Sequence, residues 1–410
     1  MFPTQLTTSK KRWQPRYTVL ALMWLVYGCF YLNRLNFAPV IPLIMDDLKL
    51  SHAQVGLISA LFFALYAAAQ LPAGYLSDIL GPKKIITLGG VISALANLFF
   101  SAVSSMFYLI GAQSLNGLGQ GGGWGPSVKL LNNWFPESER GRALGVFCTC
   151  VSIFTVLAYV LSGYLGETFG WRAAFWTTPM ILLSVVFVFW RVVDDHPGRC
   201  SELDEIYAGN RNRLIAVLSS KDLRMVCLGF SCINYVSYCN LVWVPSYLHE
   251  SYSVSVVTAS LFAGMYPAAG IIARPLGGYL SDVTFGCRRR PLLLIGLFFI
   301  LLSTVFLASA NHLGWAVILI VCVGFFDQLI CTLFFALELD MLPSELAGTG
   351  AGFVDAGGHL GSMSAMFISG LLVDLFSSYK PMFFALSILS CTAIVAVLRI
   401  HERKQYVNAK

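Results

Sequence analysis

Charged residues are scarce in this chain of 410 residues, and their scarcity excludes an ordinary soluble domain. Asp, Glu, Lys and Arg make up 12% of the sequence, whereas a soluble domain carries about 25%. Hydrophobic residues make up 57%, and the mean hydropathy is +0.71. A water-soluble chain of this composition would expose large apolar patches and aggregate. The composition therefore indicates a protein of the lipid bilayer, and the net charge of +6 does not indicate a nucleic-acid partner.

The sequence also lacks the patterns of a disulfide, metal, nucleotide or catalytic site. Most of the eleven cysteines are singletons in apolar runs, and the one close pair, Cys148 and Cys150, has no second pair and no nearby His. The glycine-rich run 119–125 is not followed by Gly-Lys-Ser/Thr, and no nucleophile–base constellation emerges. We therefore expect no metal, no cofactor and no enzymatic activity. The apolar stretch after Arg16 is too long for a signal peptide core, so we expect no cleaved targeting segment.

A helix crosses the apolar core of a bilayer with about 20 residues, and twelve stretches of the sequence meet this requirement. We number them as spans 1 to 12: 17–45, 54–78, 85–104, 106–134, 142–165, 171–193, 224–248, 254–281, 291–310, 313–342, 347–375 and 379–400. The only long polar stretch lies between spans 6 and 7. We therefore predict an all-α membrane protein with twelve transmembrane helices in two six-helix bundles. The bundles are expected at 1–193 and 224–410, joined by a cytoplasmic linker at 194–223.

Basic residues cluster on one side of the predicted membrane. The two termini, the central linker and the loops after spans 2, 4 and 8 hold 21 of the 27 Lys and Arg residues. Loops rich in Lys and Arg remain on the cytoplasmic side. We therefore expect a multi-pass protein of the cell membrane with both termini in the cytoplasm.

An internal repeat divides the chain at its middle. The pentapeptide Gly-Tyr-Leu-Ser-Asp occurs at 74–78 and again 204 residues later at 278–282, each time after an apolar span and before a basic cluster. Gly145 matches Gly352, and 162–163 matches 369–370, both at an offset of 207. The repeat predicts two parallel halves of six spans each. Many transporters are built in this way and hold their substrate between the halves.

These motifs resemble those of the major facilitator superfamily over essentially the whole chain. The segment 74–84 is similar to the superfamily's signature loop between spans 2 and 3. Segments 31–42, 336–339 and 347–353 resemble the organophosphate:phosphate antiporters, and 119–126 with Lys129 and 134–136 resembles span 4 of the anion:cation symporters. The resemblance implies a two-bundle transporter that works by alternating access and needs no ATP.

Two departures from these branches bear on the chemistry. The resemblance to the antiporters implies two phosphate-binding arginines; Arg34 matches the first, but the second would fall near Ser237, where no basic residue occurs. This departure favours a carboxylate over an organophosphate. The symporters carry Asp and Glu linked to proton coupling, where this chain has Asn33 and Gln120. We therefore expect no proton coupling through those two sites.

Arg34 is the leading candidate for substrate binding. A charge at membrane depth is costly and usually faces a cavity, and a guanidinium suits carboxylate or phosphate; the alternative is a structural pair with a buried acid. Asp327, Asp355 and His359 are candidates for coupling to protons or another ion. Asp355 and His359 share a helix face and could instead merely bond each other, and Asp327 could instead pair with Arg34.

Further polar residues inside the spans could line a cavity, although ordinary packing explains each one equally well: Tyr27, Tyr31, Tyr66, Asn116, Gln120, Trp124, Asn234, Tyr238 and Tyr266. Asp78, Asp282, Arg140 and Glu338 lie near span ends and are predicted to act in gating; a solvated turn is the alternative for the two repeated aspartates. Lys129, which can snorkel, and Arg274, near the second signature loop, are interpreted as structural. The glycine-rich run in span 4 predicts close helix approach or local unwinding.

The function that these observations predict is secondary active transport of a small organic anion, either a carboxylate or an organophosphate. Protons or a counter-transported anion are the possible coupling partners. A membrane sensor of a sugar phosphate and an exporter of drugs or cations are the alternatives. The sensor would need a partner surface larger than the short loops provide, and the exporter would need a membrane acid with no basic neighbour.

Overall fold

The computed structural model describes residues 15–195, 219–286, 288–341 and 347–401, and within these ranges the chain is helical and contains no strand. Helices α1 to α12 follow the order of the predicted spans: Pro15–Leu48, His52–Leu80, Pro82–Ala102, Met106–Trp134, Glu137–Phe169, Trp171–Val192, Lys221–Tyr252, Val256–Val283, Arg290–Leu307, Leu313–Met341, Ala347–Phe376 and Lys380–Leu398. Several helices exceed the predicted spans, because polar first and last turns continue them beyond the apolar core.

Eleven of these helices are long and apolar enough, in the described part of the chain, to cross a membrane. The remaining one, α4, consists of two shorter segments, Met106–Gly121 and Trp124–Trp134. At the break, the amides of Gly122 and Gly123 donate to carbonyls three residues earlier, at 3.2 and 2.9 Å. The expected local unwinding of the glycine-rich run therefore occurs here. The predicted all-α fold class is confirmed, and the protein is a multi-pass membrane protein.

Helix α1 bends at Asn36, between segments Pro15–Leu35 and Phe37–Leu48. Pro39 follows three residues later. It has no amide hydrogen to donate to the Leu35 carbonyl, and its ring crowds that carbonyl, so the helix bends rather than running straight. Arg34 lies just before the bend.

The internal repeat is visible in the packing. Under the half-repeat, α2 corresponds to α8 and α5 to α11. The two main contacts between the halves are α2 with α11 and α8 with α5. Replacing each helix of the first pair by its counterpart in the other half gives the second pair. The contacts within each half follow the same rule, for example α2 with α4 and α8 with α10. The helices thus form two equivalent six-helix bundles in contact along two repeat-related seams.

Glycines allow the backbones to approach closely along these seams. A Cβ atom at Gly56 would collide with the Met366 carbonyl, and one at Gly370 would collide with the His52 carbonyl. On the other seam, Gly163 lies against the Ser260 side chain. Small residues are the usual means of close helix contact in membranes. The repeated Ser-Gly pairs of the sequence therefore mark the two seams between the bundles.

The predicted boundaries of the bundles at 193 and 224 remain proposals. Residues 196–218 of the predicted linker, and the ends 1–14 and 402–410, lie outside the described residues. The chain leaves α6 after Val192, and α7 begins at Lys221 with Ser220 as its N-cap. Residues 15, 195, 219 and 401 all lie at one end of the bundles, which we call the terminal end; the other we call the opposite end.

Candidate functional site

A cavity of about 500 Å³ lies between the two halves. A volume of this size is typical of sites for small metabolites. Most of the predicted site residues line it: Tyr27, Tyr31, Arg34, Tyr66, Trp124, Asn234, Tyr238, Asp327, Glu338, Asp355 and His359. Both halves contribute to its wall, as a site between two moving bundles requires.

Arg34 lies at the wall formed by the N-terminal half and is only 7% exposed. Its guanidinium carbon lies 4.6 Å from the ring centre of Tyr31 and 4.5 Å from that of Tyr66, and Tyr238 lines the same cavity. Within the described residues, no carboxylate lies within 4 Å of Arg34. The alternative of a structural pair with a buried acid, Asp327 included, therefore does not describe this arginine.

Gln120 holds Arg34 in place without neutralising it. Its Oε1 accepts from Arg34 Nε at 3.3 Å and from Nη2 at 3.1 Å. Its Nε2 donates to the Phe30 carbonyl at 2.9 Å and to Ser93 Oγ at 3.1 Å. Gln120 itself is fully buried. The neutral amide thus orients the guanidinium and leaves its positive charge available to a ligand.

Three of the predicted binding residues lie behind the cavity wall rather than in it. Asn116 is buried among α4, α3 and α1, where it donates to the Asn33 carbonyl and accepts from Ser93. Gln120 acts through Arg34, as described above. Tyr266 is buried and donates to Asp327 Oδ2 at 2.8 Å. These residues position the groups of the wall and do not themselves face the cavity.

Asp327, in α10, belongs to a hydrogen-bonded network of the C-terminal half. Ser237 Oγ donates to its Oδ1 at 2.5 Å, and Tyr266 and Gln328 donate to its Oδ2 at 2.8 and 2.9 Å. The carboxylate is 1% exposed. Three donors therefore satisfy its two oxygens.

Arg274, in α8, lines the same cavity, so its interpretation as a structural residue is incomplete. Its Nε donates to Gln328 Oε1 at 2.8 Å. In the sequence, Arg274 lies only four residues before the repeated pentapeptide, which favours a structural interpretation. The helical spacing shows that one turn of α8 separates it from the motif and places it at cavity depth.

Asp355 and His359, in α11, share one helix face as predicted. His359 Nε2 lies 3.3 Å from Asp355 Oδ2 and 3.0 Å from Gln70 Oε1 of α2. The imidazole also packs edge-on against Tyr66, with ring centres 4.9 Å apart. The local pair is therefore present, and it also joins the C-terminal half to the N-terminal half beside Arg34.

The predicted gating residues near the terminal end make contacts within their own halves. Asp78 pairs with Lys129, and Asp282 pairs with Arg289, which also bonds Asp340 at 3.1 Å. Burial alone lowers the pKa of Arg289, but the hydrogen bonds to the two carboxylates raise it above its usual value. The repeated aspartates are thus ion paired, not merely solvated.

The two remaining gating candidates lie in different places. Arg140 donates to the carbonyls of Asn132 and Phe135 at 3.2 Å and so ties the turn between α4 and α5 together. Glu338 is 2% exposed and forms part of the cavity wall in α10. Its position is closer to the cavity than the predicted role at a span end suggests.

At the opposite end, the two halves are joined by carboxylates that accept from helix N-termini. Asp374, at the end of α11, accepts from the His52 and Ala53 amides at the start of α2, at 3.1 and 2.7 Å. Glu167, at the end of α5, accepts from the Val257 amide at the start of α8, at 2.6 Å. Glu167 and Asp374 are 207 residues apart, the offset of the repeat. The same closing contact is therefore made twice, once on each seam. Its residues form no motif that could be recognised in the sequence.

His52 strengthens the first of these contacts. Its Nδ1 lies 2.9 Å from Asp374 Oδ1, and its Nε2 lies 3.1 Å from Glu250 Oε2 of α7. Carboxylates only accept hydrogen bonds. Both ring nitrogens therefore donate in this arrangement, which makes the side chain an imidazolium held between two carboxylates of the other half.

Comparison with known proteins places this architecture in a family. The chain is 27% identical to the probable sulfoacetate transporter SauU of Cupriavidus necator, over 90% of each chain. It is 26% identical to the probable galactarate/D-glucarate transporter GudP of Bacillus subtilis, over 96% of this chain and 92% of that protein. It is 25% identical to a probable hexose phosphate transport protein of Chlamydia trachomatis, over 97% and 92%.

A solved structure shares the fold. The chain superimposes with a TM-score of 0.78, at 18% identity and 94% coverage of each chain, on a bacterial homologue of the human lysosomal transporter Spinster in an inward-facing and unoccupied conformation. The sequence model of the Major Facilitator Superfamily matches residues 23–363 and 226–410. The repeat, the paired seams and these matches agree: the chain belongs to the Major Facilitator Superfamily.

Proposed function

We propose that this protein moves a small organic anion, a carboxylate or an organophosphate, across the cell membrane by alternating access. The observation that carries the proposal is Arg34, a buried arginine at the wall of the central cavity with no carboxylate within 4 Å among the described residues. An unpaired buried charge costs several kcal/mol. A substrate anion would supply the missing negative charge.

The surroundings of Arg34 suit a transported ligand better than a permanent partner. Two tyrosine rings cover the faces of the guanidinium, and Gln120 fixes its edge. The remaining donor atoms can bind a carboxylate or phosphate through two parallel hydrogen bonds. The relatives named above support the same class, since sulfoacetate, galactarate, glucarate and hexose phosphate are all anions.

The distribution of contacts between the halves supports alternating access and indicates which side of the membrane the cavity serves. The halves are joined at the opposite end by the two carboxylate contacts, while Asp78 and Asp282 pair within their own halves at the terminal end. The excess of basic residues supports a cytoplasmic location of the terminal end and both termini. The state described is then closed to the outside, and its cavity serves the cytoplasm.

Asp327, Asp355 and His359 remain the proposed coupling residues. Asp355 and His359 form a local pair that also reaches α2 through Gln70, so a change in this pair would alter a contact between the halves. Gln120 is neutral, which supports the absence of proton coupling at that position. We assign the chain no enzymatic step. An exporter of cations is disfavoured, because Arg34 places a positive charge in the cavity wall and would repel a cation.

The proposal is tested by ligand binding to purified protein. A ligand that binds only the native state raises the apparent melting temperature. We would compare wild type with Arg34→Gln, which can still bond Gln120, across a panel of carboxylates, inorganic phosphate and sugar phosphates. Arg172→Gln is the matched control: Arg172 stacks on Trp171 at 4.2 Å and pairs with Asp47, but it lies at the opposite end of the bundle, away from the cavity.

The expected result is stabilisation by at least one anion in wild type and in Arg172→Gln, and none in Arg34→Gln. The melting temperature without ligand shows whether the variant is folded. Stabilisation that persists in Arg34→Gln would contradict the proposal and assign Arg34 to structure. Stabilisation by organic cations alone would instead support the exporter.

A further inference from the structure

The cavity contains a second arginine, and it is held in the same way as the first. Arg34 Nε donates to Gln120 Oε1 in α4, and Arg274 Nε donates to Gln328 Oε1 in α10. Helices α4 and α10 correspond to each other under the half-repeat, and the two glutamines are 208 residues apart. The arginines themselves come from different helices, α1 and α8. Each half thus supplies one arginine whose edge is fixed by a glutamine.

The charge of Arg274 is not consumed by an ion pair. Asp327 lies beside Gln328, the residue that holds Arg274, but both oxygens of that carboxylate are occupied by Ser237, Tyr266 and Gln328. Within the described residues, no carboxylate lies within 4 Å of Arg274. Its terminal nitrogens therefore remain available on the cavity side, opposite the half that carries Arg34.

Each arginine is anchored separately, by contacts of its own half. Arg34 is clamped between the rings of Tyr31 and Tyr66, and Arg274 is anchored to Gln328. Both line the same cavity, so they act on one volume. The cavity of about 500 Å³ has room for roughly 15 water molecules, far more than a single inorganic anion fills.

We propose that Arg34 and Arg274 bind the two ends of one substrate that carries an acidic group at each end, such as a short dicarboxylate or a sulfonated carboxylate. This inference rests on the proposed function and names its substrate class. The names of the relatives do not decide it, since sulfoacetate and glucarate carry two acidic groups and hexose phosphate carries one. The substrate would then join the two halves directly, because each arginine belongs to a different bundle.

The experiment uses a dicarboxylate of four to six carbons and the monocarboxylate of the same length, titrated calorimetrically into the full-length purified protein. In wild type, the dicarboxylate binds more tightly than the monocarboxylate. In Arg274→Gln, we expect the dicarboxylate to lose about 10- to 100-fold in affinity, as for one charged hydrogen-bonding partner, while the monocarboxylate is unchanged. Arg34→Gln should abolish binding of both, and Arg172→Gln should change neither.

The outcomes separate the two proposals. If Arg274→Gln leaves the dicarboxylate affinity within about twofold of wild type, or weakens both ligands equally, the inference about Arg274 is overturned while the role of Arg34 stands. If Arg34→Gln changes neither ligand, the proposed function itself fails. If Arg274→Gln does not fold, Arg274→Lys replaces it: a point charge without the guanidinium fork should lose part of the preference for the dicarboxylate, and an unchanged preference overturns the inference.

Discussion

Replacement of Gln120 by glutamate would test whether the free charge of Arg34 is what binds the anion. The substitution keeps the size and shape of the side chain and changes one amide nitrogen to oxygen. Gln120 Oε1 lies 3.1 Å from Arg34 Nη2, so the new carboxylate would form an ion pair with the guanidinium. It would also lose the two hydrogen bonds that the amide donates to Phe30 and Ser93.

The expected loss of affinity follows from the charges. Two opposite unit charges 4 Å apart attract by about 4 kcal/mol at an effective dielectric constant of 20. Desolvation of the new carboxylate offsets part of this attraction. If half of the attraction remains, the substrate must break an ion pair worth about 2 kcal/mol to bind the arginine. This cost corresponds to a roughly 30-fold weaker Kd. The loss should shrink at mildly acidic pH, because protonation of the new carboxyl removes its charge.

The measurement is the affinity of the stabilising anion for wild type and Gln120→Glu, at neutral and mildly acidic pH. Gln113→Glu is the matched control, since Gln113 is a buried glutamine of the same helix whose recorded partner is Asn116 rather than Arg34. Wild-type affinity in Gln120→Glu at neutral pH would refute the reasoning. An equal loss in both variants would do the same, because it would trace the effect to a buried acid anywhere in α4.

Three further outcomes are expected. Asp374→Asn weakens the charge-assisted contacts at the opposite end by about 1–3 kcal/mol and shifts the population toward outward opening, measured by the distance between spin labels across that end. Rising pH should act in the same direction, since an imidazole that loses a proton can no longer donate to both Asp374 and Glu250; His52→Gln should remove this dependence. Gly370→Val collides with the α2 backbone and should destabilise the protein by about 1–3 kcal/mol, seen as a lower melting temperature; Gly314→Val is the matched control, because a Cβ atom at Gly314 has no atom within 4 Å.

The fold followed from the sequence because its signals are local and repeated. Each span is an uninterrupted apolar run, and the pentapeptide fixes the correspondence of the halves. The glycine run of α4 left close helix approach and local unwinding open in the sequence, and both occur in the structure. The exact helix ends were not, because polar first turns such as that of α5, which begins at Glu137, continue a helix without any apolar residue to mark it.

The candidate site was only partly predictable. Arg34 was identified because a charge in an apolar span is costly wherever it points. Arg274 was equally visible as a charge, but its proximity to the second pentapeptide favoured a structural interpretation, and only the placement of α8 shows that it faces the cavity. For the other predicted binding residues, the side of the helix on which each residue lies was decisive. Asn116 and Tyr266 are deep in their spans, but their side chains point toward neighbouring helices.

The two halves make equivalent contacts at the opposite end, but they carry different residues at the cavity. Glu167 and Asp374 make repeat-related contacts with the starts of α8 and α2, so neither contact alone holds the opposite end shut. The residue 204 positions after Arg34 is Tyr238, which lines the same cavity but is not a basic residue. Duplication therefore supplied two equivalent bundles and their closing contacts. The charges that would bind the anion are not copies of each other, because Arg34 lies in α1 and Arg274 in α8, and α8 corresponds to α2.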